Sequence, residues 1–214
     1  MEKDSKMSST TLFVEILITG LESVIWIGFL LGCLFGVEWF NFIALSFEKA
    51  QAFTTTLLLG LVYVIGIIFE EVTDALFESW SDKLKASLNN GDMSRYNDIQ
   101  DFVYSHYAMK TDDQLGYMRS RRRILRASAF NVVMIAVCSI AFIWLRVPTV
   151  PDLSKISLTV FIAIVGLVGA WLSLFTYKRI TRDFVHSIQG IYRSLMADKK
   201  EIEKKAPKRK ESIK

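Results

Sequence analysis

An all-α fold, an integral membrane four-helix bundle with helical cytoplasmic extensions, is predicted by three observations. Long apolar runs at about 11–37, 52–69, 124–147 and 156–177 alternate with strongly charged segments, the pattern of a multi-span membrane protein. Helical spacing of apolar residues continues past the ends of several runs. Only three prolines occur in 214 residues, and Pro148 and Pro151 share one short connection, so long helices are little interrupted.

Taken in order, residues 1–10 form a short polar N-terminus. The first span, 11–37, is too long and too acidic for a signal peptide, and Trp39 and Phe40 are expected to anchor its far end at the interface. The second covers 52–80, with a helical extension to 88 in which Leu76, Trp80, Leu84 and Leu88 recur every fourth residue. Asn89, Asn90 and Gly91 supply a stop. An amphipathic helix is expected over 92–109 on the spacing of Tyr96, Ile99, Val103 and Tyr107. Thr111-Asp112-Asp113-Gln114 reads as a capping box, starting a helix over 112–147 that is continuous with the third span. The fourth span and its extension cover 156–198, where Tyr177, Ile180, Phe184, Ile188, Ile191 and Leu195 follow at three- or four-residue intervals. The charged segment 199–214 is expected to be disordered.

Charge distribution sets the orientation. Residues 38–51 contain only Lys49, and 146–155 only Arg146 and Lys155, whereas 81–126 hold nine Lys/Arg and 178–214 hold twelve. The positive-inside bias places both termini and the central segment in the cytoplasm of a cell-membrane protein.

Two constellations carry the chemistry. Glu15 and Glu22 share one face of the first span, with Thr19 between them. Glu70, Glu71 and Asp74 turn the second span acidic at its cytoplasmic side, and Asp74 and Glu78 extend the ladder. Facing them in topology are Arg119, Arg121, Arg122, Arg123 and Arg126 before the third span, and Lys178, Arg179 and Arg182 after the fourth. Carboxylates near hydrocarbon are costly unless paired, and the planar guanidinium holds a carboxylate bidentately. Ion pairs of Glu22, or of the Glu70/Asp74 ladder, with Arg122 or Arg126 are therefore expected. Two readings of the acids remain open: structural pairs that fix register, which the boundary position of Glu70, Glu71 and Asp74 favours, or groups lining an ion or proton path. Glu22 lies about 15 Å along its helix, too deep for so short a side chain to reach the interface easily. Asn131, early in the third span, needs a hydrogen-bond partner, most simply one of these carboxylates.

Gly28, Gly32 and Gly36 form a GxxxGxxxG series, and Ala163, Gly166, Ala170 and Ser173 a similar stripe on the fourth span. Both permit close helix approach, within one copy or between copies, and the glycine series of the first span predicts a homo-oligomer. Tyr96, Ile99, Val103, Tyr107, Phe184, Ile188 and Ile191 supply a cytoplasmic face for a protein partner. No catalytic motif, phosphate loop or metal-ligand spacing is present, so neither an enzyme, a metal nor a cofactor is expected. Cys33 and Cys138 read as small apolar side chains, and His106 and His186 as ordinary polar residues. The basic runs suit anionic headgroups better than specific nucleic-acid binding.

The expected function is a non-enzymatic, oligomeric membrane sensor or anchor that docks a cytosolic protein. The alternative is a channel or small transporter using the intramembrane carboxylates. At the level of architecture, the four spans, cytoplasmic termini and helical cytosolic portion resemble small membrane subunits of bacterial anti-phage systems of the Kiwa type. The resemblance implies a tetrameric or larger membrane sensor in antiviral defence whose cytosolic side engages an effector. It assigns no residue.

Overall fold

The computed structural model describes residues 2–36, 38, 51–89, 91–106 and 112–211, and among them there is no strand. Five helices follow in order: α1 (Glu2–Phe35), α2 (Gln51–Leu88), α3 (Met93–His106), α4 (Asp112–Arg146) and α5 (Asp152–Glu211). The segments Phe13–Phe35, Ala52–Leu88, Leu115–Arg146 and Asp152–Lys200 are long and apolar enough to cross a bilayer. The chain is thus an all-α, multi-pass membrane protein. Trp39, Phe40, Tyr107 and Thr111 lie outside the described residues.

Local chemistry explains where the helices stop. Gly36 follows α1 at φ 87°, with its N–H bonded to Gly32 O at 3.0 Å. It therefore serves as the left-handed cap of α1 rather than as a helical packing residue. Gly91 (φ 84°) closes α2 in the same manner, donating to Ala86 O at 2.8 Å. Asp92 then caps α3, its Oδ1 accepting the Arg95 N–H at 2.9 Å. At the far end of the third span, Arg146 donates to Cys33 O at 2.8 Å and Leu34 O at 2.9 Å, capping the last turn of α1 with a cation.

The polar segment 1–10 is helical from Glu2 as part of α1, and one expectation about the other end is corrected. The segment expected to be disordered, 199–214, is helical as far as Glu211, while 212–214 lie outside the described residues. Glu, Lys and Ala, frequent in this segment, are strong helix formers.

The chain forms two compact units. The first comprises Met1–Glu78 and Ser120–Tyr177, the second Ser79–Arg119 and Lys178–Lys214, so α2, α4 and α5 each contribute to both. In the first unit, α1 and α2 cross with their backbones in contact. A Cβ at Gly20 would lie less than 3.0 Å from Val62 O, and one at Gly66 equally close to Ile16 O. Only glycine permits such an approach. Aromatic rings fill the space around it, with Trp26 edge-on to Phe69 at 5.1 Å and Phe13 stacked on Tyr63 at 5.4 Å. Against α4, α5 presents Gly166, where a Cβ would meet Ala136 Cβ at 2.7 Å, and Gly169, next to Val132; Ala170 is buried on the same helix. The opposite face of α5, including Phe161, Leu167, Trp171 and Phe175, is exposed, as a lipid-facing surface requires.

The second unit has a separate core. Tyr96 and Val103 from α3, Leu115 from α4, and Phe184, Val185 and Ile188 from α5 are its buried members, with Ile99 and Ile191 packed against them. Phe102 meets Tyr192 edge-on at 5.5 Å. This corrects the expected partner face: Tyr96, Val103, Phe184 and Ile188 are each at most 1% exposed, so they bind one another. The apolar stripe of a short amphipathic helix is buried wherever a complementary stripe of the same chain can reach it, and each large side chain so buried contributes about 1.5–3 kcal/mol.

Candidate functional site: a polar seam between α1 and α4

Inside the first unit, α1 and α4 meet along a row of polar side chains. On α1 the row is Glu15, Thr19, Glu22, Ser23 and Trp26, whose spacing of three, four and seven keeps all five on one face. On α4 it is Ser120, Ser128 and Asn131, separated by small residues such as the buried Ala127.

Asn131 is the hub and is fully buried. Its Oδ1 accepts from Ser23 Oγ at 3.2 Å and from Trp26 Nε1 at 3.1 Å. Its Nδ2 donates to Glu22 Oε2 at 3.2 Å and to Thr19 O at 3.4 Å. Both donors and both acceptor sites of the amide are thus used, so its orientation is fixed by the network. Ser128 Oγ donates to the two oxygens of Glu22 at 2.8 and 3.0 Å. Ser23 Oγ also lies 2.8 Å from Thr19 O, so its single proton is shared between that carbonyl and Asn131 Oδ1. About two helical turns away, Ser120 Oγ donates to Glu15 Oε2 at 2.8 Å, while Glu15 Oε1 is buried without a hydrogen bond.

The acidic ladder on α2 is treated differently. Glu70 pairs with Arg123 at 3.2 Å and Asp74 pairs with Arg126, whose guanidinium also lies 5.9 Å from the centre of the Tyr177 ring. Thr73, between them, is buried and bonds to Phe69 O and Glu70 O of its own helix. Glu71 faces outward and is exposed. Of the expected pairs, Asp74 therefore takes Arg126, Glu70 takes Arg123, and Glu22 takes neutral donors instead of a guanidinium. The reason is register. Ser128 and Asn131 occupy the turns of α4 beside Glu22, while Arg123 and Arg126 are one to two turns nearer its start.

The other candidates separate from this centre. In the second unit, Arg119 donates to the Tyr104 hydroxyl and stacks 5.1 Å from the centre of that ring. Arg121, Lys178, Arg179 and Arg182 are exposed, and Arg122 is half-buried. Gly28 has open space around it: a Cβ there would meet no described atom within 4 Å. Gly32 is buried. Cys33 and Cys138 are free thiols. Among the described residues no group of three or more His, Cys, Asp or Glu is placed to hold a metal ion.

Sequence reasoning reached Glu22 and Asn131 separately but missed the serines and Trp26. Their signal was available: Ser23 and Trp26 share the helical face of Glu22, and Ser128 shares that of Asn131. It also missed Gly20 and Gly66, which stand outside any regular small-residue series. The chain matches no protein-family model, no curated protein and no solved structure, which leaves this seam and its flanking ion pairs as the ground for a functional reading.

Proposed function

We propose that the chain is a non-enzymatic membrane sensor or anchor that self-associates in the bilayer and docks a cytosolic protein through its second unit. The observation that carries this reading is the second unit itself: a body with its own buried core, built from segments of the same helices that supply the spans. Its Lys/Arg-rich segments favour the cytoplasmic side by the positive-inside bias, with both termini there; a bacterial inner membrane as the location rests on the architectural resemblance. The bound state of the acids supports a structural role for the spans, because Glu22, Glu70 and Asp74 are each tied to a neighbouring helix. Open space at Gly28 supports self-association along α1. Docking falls to exposed residues of the second unit, such as Asp98, Arg182 and His186, since the apolar stripe first expected to dock forms the core. Anti-phage defence as the setting rests on the architectural resemblance alone.

The test is photocrosslinking in intact cells from Asp98 and His186, with Leu167 as a lipid-facing control. The reading requires one discrete protein partner captured from the first two positions and lost on charge reversal of Arg182. Crosslinks indistinguishable from those of Leu167 refute it.

A second reading, a channel or small transporter, is favoured by one observation: Glu15 is 4% exposed and one of its carboxyl oxygens makes no hydrogen bond. A buried carboxyl with spare capacity is a group that a moving proton or cation can use. Ion flux into reconstituted vesicles that disappears in Glu15→Gln and Glu22→Gln would establish it in place of the first reading.

A further inference from the structure

In the second unit a cavity of about 420 Å³ is lined by Leu88, Asn89, Arg95, Ile99, Gln189, Tyr192 and Arg193. Its size lies within the roughly 300–1,000 Å³ of small-molecule sites. The lining contains two exposed guanidinium groups and no carboxylate. Among the described residues neither guanidinium forms an ion pair; the nearby Asp92 carboxylate is engaged by the Arg95 backbone N–H at 2.9 Å. Two uncompensated guanidinium groups around one cavity repel each other and attract an anion.

The rest of the lining is ordered. Asn89 is buried, donates Nδ2 to Asp92 O at 2.8 Å, and accepts from Gln189 Nε2 at 3.0 Å. These bonds tie the end of α2 to the start of α3 and to α5, and they leave a second Nε2 proton on Gln189. Leu88, Ile99 and Tyr192 add apolar surface and an aromatic ring already fixed against Phe102.

We propose that this cavity binds a small phosphate-bearing ligand, with Arg95 and Arg193 clamping the phosphate and the Gln189 amide and Tyr192 ring meeting the remainder. The arginine fork matches phosphate oxygens bidentately, a geometry that a lysine cannot reproduce. The phosphate can be carried by a soluble nucleotide or by an anionic lipid headgroup, and the same two arginines would hold either.

Native mass spectrometry of the detergent-solubilised full chain distinguishes these sources. AMP, phosphatidylglycerol and phosphatidylcholine are the probes, and Arg95→Gln, Arg193→Gln and the exposed, non-lining Lys83→Gln are the variants. The expected result is retention of AMP, weakened about tenfold or more by either pocket substitution, unchanged by Lys83→Gln, and displaced by inorganic phosphate. Arg95→Lys should recover part of the loss, and unchanged thermal unfolding of each variant shows that the fold is intact. Retention of phosphatidylglycerol over phosphatidylcholine with the same arginine dependence, and none of AMP, supports the phosphate clamp and identifies the source as lipid. Retention of neither probe, or retention indifferent to both pocket substitutions, overturns the proposal.

Discussion

Replacing Asn131 with leucine tests the seam most directly. The substitution is close to isosteric, so it removes hydrogen bonds with little change in volume. The four bonds made by Asn131, to Thr19, Glu22, Ser23 and Trp26, are lost together. Interhelical bonds in membranes average about 0.6 kcal/mol, which puts the set at about 2 kcal/mol. The Trp26 indole N–H then stays buried with no acceptor, which adds about 1–3 kcal/mol. The expected loss is therefore about 3–5 kcal/mol, large beside the typical effect of a single substitution. Reversible unfolding of the purified protein in detergent micelles measures it. A cycle with Glu22→Gln should give a coupling of about 0.5–3 kcal/mol, because Glu22 and Asn131 share a bond. A loss below about 0.5 kcal/mol for Asn131→Leu, or strict additivity with Glu22→Gln, would refute the view that the seam fixes α1 on α4.

Three further outcomes follow from the same geometry. Gly20→Leu and Gly66→Leu should each unfold the first unit, since a Cβ at either position comes within 3.0 Å of a backbone oxygen of the facing helix; Gly28→Leu should leave the unfolding transition unchanged and reduce chemical crosslinking between copies. Asp74→Arg and Arg126→Asp should each destabilise, and the double variant should recover part of the loss; a double no better than the worse single, read by the same unfolding assay, removes the pair from the account. Arg146→Ala should cost about 0.3–1 kcal/mol by uncapping α1 at Cys33 and Leu34, visible as faster amide exchange in its last turn.

The spans were legible because length and hydropathy are properties of one segment at a time. A run of apolar residues near 20 long crosses a bilayer whatever packs beside it. The pairing of Asp74 with Arg126 and the need of Asn131 for a carboxylate were legible for a related reason: cost in hydrocarbon demands a partner, and topology limits which partner can reach. What stayed hidden depends on how two helices are rotated against each other. Gly20 and Gly66 matter because they face each other's helices at the crossing, and Gly28 does not. Periodicity shows that a face is small or apolar, but not which face will meet it. The stripe of Tyr96 and Val103 shows the same limit. An apolar face that can dock a partner and one that builds a core have identical sequence patterns, and here Phe184, Val185 and Ile188 complete the core.

The contrast between Glu22 and the ladder on α2 bears on what the spans are for. Glu70 and Asp74 are matched by guanidinium groups, and such pairs tolerate small shifts because long arginine side chains can follow. Glu22 is held by Ser128 and Asn131, short side chains whose bonds survive only in one alignment. Sliding α1 by a single residue turns its face by about 100° and rotates Thr19, Glu22, Ser23 and Trp26 away from Asn131 together. The seam therefore locks register between α1 and α4, while the ion pairs leave α2 more latitude against α4. A conducting path needs acids free to exchange partners, and among the fully buried side-chain atoms described Glu15 Oε1 is a carboxylate oxygen without a hydrogen bond.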